Sequence, residues 1–113
     1  MAIIGIGVDM ENILRFKNAD EKLLKRVFTD AELAFCFKSV KPWEHLAARF
    51  CAKEAAFKAL PFKEIAFKNI EVKTSQDGKP NLVIYDERAN GLDIKLSLSH
   101  TDTAAIAFVV VSE

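Results

Sequence analysis

Between Trp43 and Leu60 the apolar positions keep a helical period, but the charges do not stay off the apolar side. With Phe50 at zero on a wheel of about 100° per residue, Trp43, Leu46, Ala47 and Phe57 fall within about 60° of it. Glu54 lies inside that stripe and Lys53 on its edge, while Ala48, Cys51, Ala52, Ala55 and Ala56 fill the opposite side. Pro42 suits a first helical turn and Pro61 a stop, so the pattern predicts a long central helix from Pro42 to about Leu60. Upstream, "IIGIGVDM" alternates as a strand, with Ile4, Ile6, Val8 and Met10 on one face and Ile3, Gly5, Gly7 and Asp9 on the other. Glycines in a strand mark the close approach of a backbone or a ligand. Asp9 then ends a face stripped of side chains, with room for something to bind.

Asp20 to Val27 reads as a further helix. "TDAE" at Thr29–Glu32 is a capping box that opens a short one to about Phe37. The second half turns strand-like in "NIEVKT", "PNLVIYD", "LDIKLSLS" and "AAIAFVVV", with "QDGKP" as a turn between the first two. The last strand is so apolar that it is expected to be covered on both faces. Helices followed by antiparallel strands predict an α+β domain over residues 1–113.

Sixteen basic residues balance sixteen acidic ones, which argues against a nucleic-acid partner. No basic, uninterrupted apolar start and no run of about eighteen apolar residues is present, so neither a signal peptide nor a membrane span is expected. Cys36 and Cys51 lack paired spacing and read as reduced core thiols of a cytoplasmic protein, with no zinc site.

The charges of the central helix need partners, because burying a lone carboxylate or ammonium costs several kcal/mol, on the order of one broken ion pair. One solution is an internal network among Arg49, Lys53, Glu54 and Lys58. The other is a site. Asp9 and Glu54 would supply two carboxylates for Mg²⁺, a hard cation that often completes its shell with phosphate. Arg49, Lys53 and Lys58 would clamp that phosphate. Ser99, His100 and Thr101 sit at a hairpin mouth where polar side chains face a ligand, although a hairpin histidine of no consequence fits equally well. His45, beside Trp43, reads as a packing or surface residue.

"GIGVDMENILR", "LAARFCAKEAAFKAL" and "LSLSHTDTAAIAFVVV", with "FTDAEL" and "IEVKTSQDGKPNL" in the same order, resemble the holo-acyl-carrier-protein synthases along essentially the whole chain. The resemblance implies the 4′-phosphopantetheinyl transferase fold, with a long central helix packed on a small antiparallel sheet. It also implies a homotrimer with active sites where subunits meet. The implied reaction moves phosphopantetheine from coenzyme A to a serine of apo-acyl carrier protein, with Mg²⁺, releasing adenosine 3′,5′-bisphosphate for fatty acid biosynthesis.

Asp9 and Glu54 match the family's metal-binding acids and Lys58 its pyrophosphate lysine. Arg49, Lys53 and His100, flanked by Ser99 and Thr101, match positions along the coenzyme site, and Lys41 matches a basic residue near the 3′-phosphate. Arg15 matches the position that docks the acidic carrier, with Lys22, Lys25 and Arg26 extending the patch. Either Glu54 or a metal-activated water takes the serine proton. Two positions depart from the family pattern: Ala48 stands where a glycine is usual, and "LPFKEIAF" replaces a glycine-rich turn after the helix. That second departure motivates a rival reading as a catalytically inactive carrier-binding trimer. A magnesium phosphohydrolase acting on a small nucleotide explains the acids but not the docking patch.

Overall fold

A computed structural model describes residues 2–113. The central segment forms helix α3, Pro42–Ala59, against which the other elements are arranged. Pro42 opens it without a side-chain cap from Lys41, and the Leu60 amide closes it on the Ala56 carbonyl before Pro61. Its alanines and cysteine are buried, as the wheel requires.

Strand β1, Ile3–Asn12, crosses α3 at backbone contact. A Cβ on Gly5 would stand 1.8 Å from the Ala59 carbonyl oxygen, and one on Gly7 would stand 1.9 Å from that of Ala55. No side chain fits in either place. The stripped face therefore does not hold an open ligand space along its length, as the sequence suggested, because α3 fills it. Past the second glycine, Asp9 again has room for a side chain on that face.

β1 is the edge of a three-stranded antiparallel sheet in the order β1–β5–β4, with β4 at Asp93–His100 and β5 at Ala104–Ser112. Gly7 pairs with Val109 and Asp9 with Ala107, which also faces Leu98. Ala105, Ala107, Val109 and Val111 point inward and are buried. The other face of β5 is open: Phe108 is 46% exposed, beside Val8 at 51% and Met10 at 66%. The expectation that β5 is covered on both faces thus fails for the single chain.

The predicted small helices appear as α1, Glu21–Val27, with Asp20 as N-cap, and α2, Asp30–Phe37. In the capping box of α2 the Glu32 amide donates to Thr29 Oγ1 and the Thr29 amide returns a bond to Glu32 Oε1. Strands β2, Ile70–Thr74, and β3, Pro80–Ile84, make a separate hairpin whose turn uses Gly78 at φ +83°. Ile13, Phe16, Leu24, Phe28, Leu46, Leu60 and Ile70 close the core around α3.

Candidate active site

Where β1 leaves the glycine contact, three acids and two cations gather. The Asp9 side chain is 13% exposed, and its Oδ1 lies 3.6 Å from Lys58 Nζ. Its Oδ2 is buried without a hydrogen-bond partner. Lys58 also donates to the Val8 carbonyl at 2.9 Å. Glu54 stands one turn before Lys58 on α3, the spacing that stacks side chains along one helix face. Burial raises the Glu54 carboxyl above its usual range, and the Asp9 charge raises it further against the pull of Lys58 and Arg15. The two carboxylates therefore repel each other, and one oxygen has no proton donor.

Glu11 belongs to the same corner, although it was not singled out from the sequence. Its position two residues past Asp9, on the same strand face, was the available signal. Burial raises its carboxyl, and the neighbouring Asp9 carboxylate raises it further. Arg15 Nη1 donates to Glu11 Oε1 at 2.5 Å, and its guanidinium lies over the rings of Phe16 and Phe50 at 5.5 and 5.3 Å.

This corner fits a hard divalent cation. The orphaned Oδ2 and the two repelling carboxylates offer oxygen only, as Mg²⁺ prefers. No group of three or more His, Cys, Asp or Glu among the described residues has metal-binding geometry, so substrate oxygens and water would have to complete the shell.

A cleft of about 180 Å³ includes Phe35, Glu44, His45, Arg49, Thr74, Ser99 and His100 in its lining. Arg49 is its main cation, although only 4% exposed. Its Nη2 donates to Thr74 Oγ1 at 2.9 Å, and its guanidinium carbon sits 4.0 Å from the centre of the Phe35 ring. The Nε is buried with no partner. The guanidinium is thereby held flat with donor capacity left. His100 is exposed, with Nδ1 at 3.1 Å from the Thr101 carbonyl oxygen. The Thr101 hydroxyl accepts the amides of Thr103 and Ala104 and so shapes the hairpin mouth.

His45 also belongs to this cleft, lying edge-on to Phe35 at 5.6 Å. Burial first, then the Arg49 charge, lower its pKa below the ordinary histidine value. Nothing in the local sequence distinguished it from a packing residue. Lys41 stands exposed at the head of α3 and does not line this cleft.

Lys53 is a correction. Its side chain is fully enclosed, with Nζ 2.8 Å from Glu32 Oε1 and hydrogen bonds to the carbonyls of Phe67 and Ile70. Those three acceptors saturate the ammonium away from the cleft, so it does not touch a ligand there. A buried ammonium needs a carboxylate, and the capping glutamate of α2 is the one within reach. Glu32 Oε2 in turn accepts the Val72 amide at 2.9 Å. The network within α3 does not form either: Arg49 turns to Thr74, and Glu54 and Lys58 turn to the Asp9 corner.

On α1, Lys22, Lys25 and Arg26 are exposed, and Lys25 pairs with Glu21 at 3.1 Å. They lie on the side of the molecule that carries an apolar hollow lined by Arg15, Phe16, Leu23 and Phe50.

The profile of the 4′-phosphopantetheinyl transferase superfamily matches residues 5–109. A holo-[acyl-carrier-protein] synthase of Thermodesulfovibrio yellowstonii is 41% identical, with 97% of this chain and 99% of that protein covered. Among solved structures, that of the Neisseria meningitidis holo-[acyl-carrier-protein] synthase superposes with a TM-score of 0.86 at 30% identity, covering 99% of this chain and 100% of that one. The Bacillus anthracis holo-(acyl-carrier-protein) synthase, solved in complex with CoA (3′,5′-ADP), gives 0.83 at 34% identity and covers 96% of both chains. With a full-length match at these identities, the chain belongs to the 4′-phosphopantetheinyl transferase superfamily, in the family of the holo-[acyl-carrier-protein] synthases.

Proposed function

We propose that this chain transfers 4′-phosphopantetheine from coenzyme A to a serine of apo-acyl carrier protein, in the Mg²⁺-dependent step that arms the carrier for fatty acid synthesis. The observation that carries the reading is the Asp9–Glu54–Lys58 corner, with its unpartnered carboxylate oxygen. The serine oxygen bonds to the β-phosphorus, and the bond from that phosphorus to the bridging oxygen breaks. Adenosine 3′,5′-bisphosphate then leaves with the electron pair. Asp9 and Glu54 would hold Mg²⁺, which when bound neutralises diphosphate charge. Lys58 stabilises the charge that grows on the leaving phosphate, and Arg49 and His100 receive the anionic nucleotide portion. Glu54, with its raised carboxyl, is the candidate acceptor of the serine proton.

Arg15, with Lys22, Lys25 and Arg26, faces the acidic carrier, an electrostatic encounter that salt weakens. The open apolar face of β1 and β5 supports assembly of three copies, with the sites where subunits meet. Free, buried Cys36 and Cys51 suit a reducing cytoplasm.

Mass spectrometry of apo-carrier mixed with coenzyme A, Mg²⁺ and the protein tests the reading. The carrier is expected to gain one phosphopantetheine, and Asp9→Ala or Glu54→Ala is expected to abolish the gain without unfolding the chain. Binding of carrier with no mass gain would leave a docking protein, and nucleotide release without carrier modification a phosphohydrolase. Either result removes the proposal.

A further inference from the structure

The segment after α3 lacks glycines and starts with Pro61, which has no amide to donate, yet the end of the helix is not left bare. Lys63 folds back over it. Its Nζ donates to the carbonyls of Phe57 at 2.7 Å, Lys58 at 3.0 Å and Leu60 at 3.1 Å, and rests 5.3 Å from the centre of the Phe57 ring. The Ala59 carbonyl is covered separately by the backbone of Gly5. One exposed ammonium thus satisfies three oxygens that an α-helix leaves without partners at its C-terminus.

Those oxygens carry the negative end of the α3 dipole, roughly half an elementary charge. That end lies beside Lys58, which reaches the Asp9 corner where the proposed reaction gathers the most negative charge. A diphosphate brought there meets Asp9, Glu54 and Glu11 and, were Lys63 absent, the uncovered helix terminus as well, all of one sign. Lys63 cancels the last of these and fixes the backbone from which Lys58 projects. We infer that Lys63 is a positioning residue for Lys58 that also makes the C-terminus of α3 tolerant of the coenzyme's diphosphate. This inference rests on the function proposed above. The chain obtains with a side-chain ammonium at this turn what backbone amides would otherwise contribute, charge included.

The test compares wild type with Lys63→Met, which keeps the stem and removes the charge, and with Lys63→Arg, which keeps the charge. Coenzyme A binding in Mg²⁺ buffer is followed by isothermal titration at several salt concentrations, with melting temperature and KM for the carrier measured in parallel. Lys63→Met is expected to raise the Kd for coenzyme A about three- to tenfold, the size of one charge at a helix end. It should also flatten the salt dependence and leave KM for the carrier unchanged, and Lys63→Arg should stay near wild type. A Lys63→Met protein with a lowered melting temperature but wild-type coenzyme affinity would make Lys63 a helix cap only and overturn the inference. Should Lys63→Met not fold, Lys63→Arg decides. A Kd more than about threefold above wild type overturns the role of charge, and a smaller change supports it. Failure of the wild type to bind coenzyme A would instead sink the proposed function, whatever the variants do.

Discussion

Asp9 and His45 show how one side chain's surroundings set its chemistry at the residue scale. Asp9 keeps an oxygen without a donor because β1 brings it past Gly7 into a corner already holding Glu54 and Glu11. Against the smaller pull of Glu44, burial and after it the charges of Arg49 and His100 disfavour the protonated form of His45. Its folded pKa lies below 6.5, so the unfolded chain takes up the proton first as the pH falls. The stability that His45 contributes is therefore complete above about 6.5 and is lost as the pH drops through that value toward the folded pKa. His45→Gln is expected to melt with a smaller loss between pH 7.5 and 5.5 than the parent, as read by differential scanning fluorimetry over that range. Identical losses in both proteins would show that this histidine is not strained.

At the scale of elements, the buried pair Lys53–Glu32 ties α3 to α2, and Glu32 extends the link to β2 through Val72. Thr29 continues the chain of contacts by donating to Glu71, whose other oxygen accepts from Tyr85. The hairpin that results carries Thr74, and Thr74 holds Arg49 at the cleft. Lys53→Met leaves the Glu32 charge enclosed without its ammonium, a loss of about 3–5 kcal/mol for a broken buried pair. Urea denaturation should show this cost, while the Kd for coenzyme A of the folded fraction stays within about twofold of wild type because the ammonium faces away from the cleft. A large affinity loss with little destabilisation would return Lys53 to the site. The capping box of α2 was legible from "TDAE" alone, since it closes within four residues. The second use of its glutamate was not, because the partner lies on another helix.

For the whole molecule, the sheet presents a continuous apolar strip of Ile6, Val8 and Met10 from β1 with Ile106 and Phe108 from β5, bordered by Ser97 and Ser99 of β4. Such strips on a small protein mark an interaction surface. If copies of the chain pack there, Phe108→Glu places a charge in each interface and should give monomers by sedimentation velocity, with at least a tenfold loss of transfer, on the order of one desolvated charge per contact. A variant that sediments like wild type would remove this face from the assembly. The Ser99 side of β4 adjoins the strip, so a neighbouring copy would stand close to His100.

The sequence by itself determined the element order, the capping box and the hairpin turn, because these follow from periodicity and from residues that act within a few positions of one another. It also carried the family's motifs in order, and hence the acids Asp9 and Glu54. Only the tertiary structure decided what stands opposite each buried group: the α3 backbone against Gly5 and Gly7, Glu32 on Lys53, Glu11 beside Asp9, and Lys63 over the end of α3. Periodicity says that a side chain turns inward. Its partner there is fixed by elements that meet only on folding, and over a few ångströms that partner decides whether a charge binds a ligand or holds the core together.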